Sequence, residues 1–158
     1  GTISNQTTST ITNNGTITNS IGGQLDNTHI ITNVGTITNH GTFAIYTNNG
    51  VLNNNSGGTI TNTGTIINED YGVTTNTGTI TNNSGAVITN DTFATITNNS
   101  GATITNNSGA TVTNNNHATI TNNSGATIAN PGTITNYTTN SAVVTNSGTL
   151  TGNPVINV

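Results

Sequence analysis

The sequence contains no lysine, arginine or cysteine, and its only formally charged side chains are four acids, which give a net charge of −4 over 158 residues. A chain without cationic side chains has no basic patch to neutralise phosphates or anionic lipid headgroups. We therefore expect neither nucleic acid nor an anionic membrane surface among its partners. The absence of cysteine rules out disulfides but indicates nothing about redox compartment.

Apolar residues are also scarce. Hydrophobic residues make up 28% of the chain and charged residues 3%, whereas an average globular protein has about 45–50% and 25%. This is too little apolar material for the core of a compact globule. No run approaches the ~20 apolar residues of a membrane span, and no segment has the pattern of a signal peptide, so we expect no membrane span.

Threonine and asparagine dominate instead, with 40 and 33 residues respectively. Low hydrophobicity often accompanies disorder, but disordered chains are usually highly charged and poor in β-branched residues. Here β-branched residues are abundant, and they favour strands. Residues 95–110, TITNNSGATITNNSGA, contain nearly the same eight-residue sequence twice, which indicates a repeat protein.

A five-residue pattern of small, any, apolar, any and Asn fits the chain twenty-two times. We call its apolar residue the anchor. Strand alternation places the small residue, the anchor and the Asn on one face and the two intervening residues, often Thr, on the other. The residues between units are turn formers, so each unit is predicted to be a short strand followed by a tight corner. The anchors are Ile3, Ile11, Ile17, Leu25, Ile31, Ile37, Ile45, Leu52, Ile60, Ile66, Thr74, Ile80, Ile88, Ile96, Ile104, Val112, Ile120, Ile128, Ile134, Val144, Leu150 and Ile156.

The recurrence of identical residues in one register favours a β-solenoid, or parallel β-helix, over an antiparallel meander. Stacked Asn side chains can then hydrogen-bond along the solenoid axis. This satisfies inward amides that would otherwise cost ~1–3 kcal/mol each. We expect residues 1–158 to form one all-β solenoid domain.

The outward residues favour three strands per coil. Every third unit, starting at Thr16, gives outward pairs in which 13 of 14 places are Thr, with Ala129 as the exception, whereas two-fold grouping gives no face this uniform. The preferred fold is a three-sided solenoid of about seven coils of 20–24 residues, and the alternative is two-sided with about eleven coils. The predicted threonine face comprises Thr16, Thr18, Thr36, Thr38, Thr59, Thr61, Thr79, Thr81, Thr103, Thr105, Thr127, Thr149 and Thr151.

The register slips once. The anchors are odd-numbered through Ile45 and even-numbered from Leu52 onward, which places the slip between Tyr46 and Gly50. Beside it, Phe43 replaces the small inward residue of its unit, so we expect a bulge or a wider coil there.

Both ends of the array are expected to be open. The first unit begins at Gly1 and the last is residues 154–158, and neither carries the cap that usually closes a solenoid. Open ends are predicted to stack on copies of the same chain, and head-to-tail stacking without a closing rotation gives a filament. The alternative is a piece cut from a longer array. The residues predicted at the assembly ends are Ile3, Val155, Ile156 and Val158.

The sequences GTITN, NNSGATITN and NSGTLTGN resemble the β-helical repeats of bacterial and archaeal surface proteins, such as filamentous-haemagglutinin-like adhesins and autotransporter passengers. The resemblance extends over the whole chain. It implies an extracellular fibre, stalk or adhesin at the cell surface, and it transfers no binding residue. A polar, uncharged chain without trypsin sites is consistent with that location.

Carboxylates give no catalytic or metal-binding pattern. Glu69 and Asp70 are adjacent, but no multi-position calcium loop follows them. Asp26 and Asp91 are distant in sequence, so no carboxylate pair for glycoside hydrolysis is recognisable. No serine lies in a nucleophile-elbow context. We expect no catalytic residue, no cofactor and no enzymatic activity.

The histidines show no metal-ligand spacing. His29 falls at an inward small-residue position, whereas His40 and His117 fall in corners, where solvated or packed side chains are the simplest interpretation. Tyr46, Tyr71, Phe93 and Tyr137 also fall at or near corners, where they can fill gaps, cover edges or contact a neighbouring subunit. We therefore predict no metal site.

The sequence does not decide whether the chain carries glycans. Most Asn-x-Ser/Thr sequons fall at the inward Asn position, where a glycan cannot fit, and only Asn14 is clearly a corner residue. It also does not decide whether the threonines carry O-linked sugars. The sequons are at Asn5, Asn14, Asn54, Asn82, Asn90, Asn98, Asn106, Asn122 and Asn136.

Two functions are consistent with these patterns. The first is a structural subunit of an extracellular fibre or adhesin stalk, which assembles with copies of itself by stacking its end coils. The second is ice binding, because the flat Thr-x-Thr face resembles that of β-solenoid antifreeze proteins, whose threonine ranks order water into an ice-like lattice. Threonine is, however, also a common outward strand residue, and 11 of all 22 units have the Thr-x-Thr pair.

Overall fold

The structure is a computed structural model that describes residues 1–45 and 50–158. The described residues form twenty-two β-strands, one for each repeat unit, and one 3-10 turn at Thr138–Asn140. All strand pairings are parallel, and each strand pairs with the strands three before and three after it. The chain is therefore a three-sided β-solenoid of about seven coils, as predicted, and the two-sided alternative is wrong.

The three sides are three parallel sheets. Sheet 1 contains β1 (Thr2–Asn5), β4 (Gln24–Asn27), β7 (Thr42–Ile45), β10 (Thr65–Asn68), β13 (Val87–Asn90), β16 (Thr111–Asn114), β19 (Thr133–Asn136) and β22 (Val155–Asn157). Sheet 2 contains β2 (Thr10–Asn13), β5 (Ile30–Asn33), β8 (Val51–Asn54), β11 (Val73–Asn76), β14 (Thr95–Asn98), β17 (Thr119–Asn122) and β20 (Val143–Asn146). Sheet 3 contains β3 (Thr16–Asn19), β6 (Thr36–Asn39), β9 (Thr59–Asn62), β12 (Thr79–Asn82), β15 (Thr103–Asn106), β18 (Thr127–Asn130) and β21 (Thr149–Gly152).

The core is a narrow apolar stack along the axis. One anchor from each sheet points inward in each coil, and the anchors of the middle coils are buried. Short corners bring the small residue of each unit against the backbone of the preceding coil. A Cβ at Gly41 would collide with the Gly23 carbonyl oxygen, and one at Gly64 with the Gly41 carbonyl oxygen. At the same position, several of the longer corners carry a buried alanine such as Ala102.

Buried asparagines form hydrogen-bonded ladders along the axis. In sheet 2, each side-chain Nδ2 donates to the Oδ1 of the Asn in the next coil, without a break from Asn13 to Asn146, at 2.7–2.9 Å. The same amide group also donates across the corner, as from Asn54 to the Thr79 carbonyl oxygen. Both of these bonds join Asn54 to the next coil, and a third, to the Gly58 carbonyl oxygen at 3.2 Å, closes its own corner.

The register at Phe43 corrects the sequence-based assignment. Phe43 pairs with Leu25 and Ile66 and is the anchor of β7, whereas Ile45 takes the Asn position. Gly41 supplies the small residue, because a side chain there would collide with the preceding coil. The coil from Leu25 to Phe43 is accordingly slightly shorter than the predicted range.

No bulge occurs in β7, because all four of its residues pair in register with both neighbouring strands. The expected bulge at Phe43 is therefore wrong. The predicted register slip falls largely on residues 46–49, which lie outside the described residues.

The register of the last strand, β22, also differs from the sequence-based assignment of its anchor. Val155 pairs with Ile134 and Asn157 with Asn136, so Val155 points inward and Ile156 points outward. This register continues the Asn ladder, since Asn136 Nδ2 donates to Asn157 Oδ1 at 3.0 Å. A shift of one residue exchanges the two faces of a strand, which is why the assignment of Ile156 as the anchor is wrong.

Candidate functional site

The outward side of sheet 3, here called the threonine face, carries two columns of residues in register. The first column is Thr at every coil, from Thr16 to Thr149, and the second is Thr except at Ala129. Rungs are separated by ~4.8 Å along the axis and the two residues of a rung by roughly 6.6 Å. The face is therefore a regular array of hydroxyl and methyl groups without a charged residue.

Hydroxyl groups on the threonine face are available to solvent. Within residues 1–45 and 50–158, none of these side-chain hydroxyls makes a hydrogen bond to protein atoms. The other two sheets are less regular on their outward sides. In sheet 2, Ile30, Val51 and Val73 occupy the first column. In sheet 1, Gln24 interrupts the first column and Asp26 the second.

The end coils expose apolar side chains, which include three of the residues predicted at the assembly ends. Ile3 is 40% exposed at the first coil, and Ile156 and Val158 are 49% and 45% exposed at the last. Val155 is half-buried against the core. The Val158 carbonyl oxygen accepts a hydrogen bond from Thr138 Oγ1 at 2.9 Å, which fixes the last residue against the 3-10 turn.

Ladder polarity also distinguishes the two ends. In each bond between two asparagines of the inward ladders, the amide donates toward the C-terminal coil, so these ladders present acceptors at the first coil and donors at the last. Asn5 shows the consequence, because its Oδ1 is buried and has no donor within the described residues. Its Nδ2 is satisfied by Asn27 Oδ1 at 2.7 Å.

A third feature was missed by the sequence analysis. The loops that join sheet 1 to sheet 2 at residues 69–72, 91–94 and 115–118 stack on one another and form what we call the aromatic corner. The Tyr71 and Phe93 rings are stacked with centroids 5.0 Å apart and planes 6° apart, and the Phe93 and His117 centroids are 4.7 Å apart. Three-fold grouping of the units would have placed these residues in one column.

The backbone of the aromatic corner differs from that of the other long corners. Tyr71, Phe93 and His117 have φ of 62–64°, and Asp70, Thr92 and Asn116 before them also have positive φ. Elsewhere the equivalent left-handed position is usually Gly, as at Gly101. Three consecutive coils therefore hold large side chains where glycine is the unstrained choice.

Carboxylates flank the stacked rings. Glu69 and Asp91 occupy equivalent positions in neighbouring coils, and Asp70 follows Glu69. Partial burial raises the pKa of Glu69 above its ordinary value, and the charges of Asp70 and Asp91 raise it further. Asp91 Oδ1 accepts a hydrogen bond from the Thr92 backbone N–H at 2.7 Å. Three of the chain's four acids thus lie in this one corner.

The histidines lie in different places. His117 belongs to the aromatic corner, where its Nδ1 lies 3.1 Å from the Asn140 carbonyl oxygen. His40 Nδ1 lies 2.6 Å from Thr63 Oγ1 in an exposed corner, and His29 is half-buried. The structure groups no three His, Asp or Glu residues in a metal-binding arrangement within the part of the chain that it describes.

The asparagines of most sequons are buried in the ladders, whereas Asn14 is exposed at a corner. Among residues 1–45 and 50–158, no helix is long and apolar enough to span a membrane.

Comparisons with protein-family models, curated proteins and solved structures find no match to this chain. The threonine face, the end coils and the aromatic corner are therefore the candidate functional features of the chain.

Proposed function

We propose that the chain is a structural segment of an extracellular fibre or adhesin stalk, extended by coaxial stacking of solenoid coils. The observation that carries the proposal is the polarity of its ladders. The three parallel sheets and their Asn ladders repeat along one axis with one direction, so a further coil can join either end in the same register. The resemblance to β-helical surface proteins supports the same function and location.

The end coils provide the chemistry for stacking. At the first coil, the buried Asn5 Oδ1 lacks a donor and Ile3 is exposed. At the last coil, Asn157 continues the ladder of sheet 1 and Val155 continues its anchor column. A coaxial neighbour would satisfy the amide and bury the apolar residues. This holds whether that neighbour is another copy or further coils of a longer protein.

Electron microscopy and sedimentation of the purified chain test this proposal. We expect filaments whose formation is weakened by Ile3→Asp, by Val155→Asp or by deletion of residues 154–158, because a charge or a gap at the stacking surface opposes coil addition. Ile21→Asp is the matched control, since Ile21 is 89% exposed in a lateral corner. Short separate rods in the unaltered protein, or filaments insensitive to the end variants, would contradict end stacking.

Ice binding is the second candidate, and the regular threonine face favours it. Its hydroxyls have no protein partner within the described residues, and its threonines repeat in two columns in register, as the resemblance to solenoid antifreeze proteins requires. The face can therefore order a layer of water over six rungs and part of a seventh, where Ala129 stands.

Thermal hysteresis measurements test the second candidate. Thr79→Tyr with Thr103→Tyr should abolish hysteresis, because two bulky rings would lift an ice surface from the face. Thr97→Tyr with Thr121→Tyr, on paired outward positions of sheet 2, is the matched control and should retain it. Absence of hysteresis in the unaltered protein would rule out this function.

A further inference from the structure

The aromatic corner is the part of the surface that departs most from the repeat. Tyr71 and Phe93 are 53% and 46% exposed although both are large apolar rings. The stack is held from below by turn-to-turn hydrogen bonds, in which the Tyr71 N–H donates to the Thr92 carbonyl oxygen at 3.1 Å and the Phe93 N–H to the Asn116 carbonyl oxygen at 3.0 Å. These rings therefore form a fixed ridge rather than loose side chains.

The composition of the ridge is not explained by the fold. At the equivalent position of the other long corners, Gly57 and Gly125 adopt the left-handed backbone without steric cost. Tyr71, Phe93 and His117 adopt it at a cost and contribute no buried core. The core does not contain these side chains, and their exposure at three successive coils makes the corner a candidate binding surface.

We propose that the aromatic corner is a docking site for an arginine-rich segment of a partner protein, with Glu69, Asp70 and Asp91 binding guanidinium groups and the ring edges of Tyr71 and Phe93 contacting the aliphatic stems. Charge complementarity specifies the partner. The chain has no cation of its own to neutralise these three carboxylates, so they repel one another until a cation is supplied from outside.

Arginine suits this surface better than lysine. Its planar guanidinium binds carboxylates through two parallel hydrogen bonds, and it is more weakly hydrated than an ammonium group. Its aliphatic stem packs on apolar surface while the charge stays at the rim. Aromatic residues and arginine are both enriched where proteins bind one another.

The stacking geometry argues against a sugar as the occupant. The Tyr71 and Phe93 rings cover one face of each other at 5.0 Å, and the His117 ring lies against the other side of Phe93. A sugar therefore has no free face of Phe93 on which to pack flat. The proposal is independent of end stacking, because the corner lies on the side of the solenoid.

Fluorescence anisotropy with labelled octa-arginine, octa-lysine and octa-glutamate peptides tests the proposal. We expect octa-arginine to bind most tightly, octa-lysine more weakly and octa-glutamate not at all. Glu69→Gln, Asp70→Asn and Asp91→Asn combined should weaken octa-arginine binding by about tenfold, the effect of three exposed ion pairs. Tyr71→Gly with Phe93→Gly retains all the charges and should weaken binding severalfold.

Controls separate this site from net charge and from folding. Asp70→Asn should weaken binding more than Asp26→Asn, which removes the one acid outside the corner. The glycine variants place at residues 71 and 93 the residue found in equivalent turns, so circular dichroism should show an intact solenoid. Unchanged binding in the glycine variants, or equal losses in Asp70→Asn and Asp26→Asn, would overturn the proposal. Saturable binding of calcium chloride that the triple variant abolishes would replace it with a cation site.

Discussion

Ile45 lies directly beside Asn68 in sheet 1, at the position that asparagine occupies in most coils. Because Ile45 has no amide to donate, Asn68 Oδ1 is buried without a hydrogen-bond partner among the described residues. On the other side of Ile45, the Asn27 amide donates to the Val51 carbonyl oxygen and to no further Asn within residues 1–45 and 50–158. One substitution thus divides the Asn ladder of sheet 1 into two parts.

Ile45→Asn should therefore be tolerated better than Ile45→Ala, contrary to the usual order at a buried apolar site. Truncation to Ala leaves a cavity and should cost about 2–5 kcal/mol. The Asn variant loses the same apolar burial but accepts from Asn27 and donates to Asn68, so its net cost should be below about 2 kcal/mol. Urea denaturation measures both free energies of unfolding.

An Asn68→Ala background provides the control for this comparison. There the new side chain has lost one of its two ladder partners, so the advantage of Ile45→Asn over Ile45→Ala should shrink. If the advantage is unchanged, or if Ile45→Asn is the less stable variant in the native background, the ladder does not explain the unpaired Asn68.

Asn98→Ala should be strongly destabilising, because it interrupts the continuous ladder of sheet 2. Asn98 accepts from Asn76 and donates to Asn122 and to the Thr127 carbonyl oxygen. The loss of these bonds, with buried partners left unsatisfied, should cost about 2–4 kcal/mol. Asn99→Ala is the neighbouring control. Its side chain accepts one bond from Asn123 in a partly buried outer position, and its loss should cost below about 1 kcal/mol.

The strands and their grouping were predictable from the sequence because the pattern is local. A small residue, an anchor and an Asn at alternate positions can share one face only in a strand, and the uniform threonine column could form only if every third strand was paired. The Asn ladders followed from the same register, since an inward amide needs a partner in the next coil.

The register at Phe43 was not predictable in this way. Phe43 and Ile45 are both apolar and both inward, so the pattern accepts either as the anchor. The choice depends on Gly41, whose position against the Gly23 carbonyl oxygen leaves no space for a side chain. That contact joins different coils and is visible only in three dimensions.

The aromatic corner was missed for a different reason. Turn residues with positive φ are expected to be Gly or Asn, so Tyr71 and Phe93 were interpreted as scattered corner residues. Their stacking requires a left-handed backbone that sequence propensity disfavours. Surface function, rather than turn chemistry, is the physical reason that we propose for them.

Thr74→Val should stabilise the solenoid. Thr74 occupies the anchor position between Leu52 and Ile96, and its buried Oγ1 has no hydrogen-bond partner among the described residues. Valine has nearly the same shape without the hydroxyl, so the expected gain is about 1–3 kcal/mol. Thr75→Val, on the outward side of the same strand, should change stability by less than about 0.5 kcal/mol. A loss of stability in Thr74→Val would contradict the interpretation that the buried hydroxyl is unsatisfied.

Glu69→Gln should remove a pH dependence of stability. Burial and the charges of Asp70 and Asp91 raise the pKa of Glu69 in the folded protein, so the folded state holds its proton more tightly than the unfolded state. Between the ordinary and the raised pKa the folded state binds more protons, and the contribution of Glu69 to stability therefore rises as the pH falls through that window. Above that pH range Glu69 is ionised in both states, and its charge lowers the stability of the folded state by a constant amount.

The free-energy difference between Glu69→Gln and the native chain, measured by urea denaturation from neutral pH to about pH 4, isolates this group from the other acids. The glutamine variant should be the more stable protein at neutral pH, and the difference should diminish on acidification. Asp91→Asn should narrow the pH range over which this difference changes, because it removes one of the charges that raise the pKa of Glu69. Asp26→Asn should leave that pH range unchanged. A difference that is constant with pH would mean that solvent screens these carboxylates from one another, and it would also remove the mutual repulsion on which cation recognition at the aromatic corner depends.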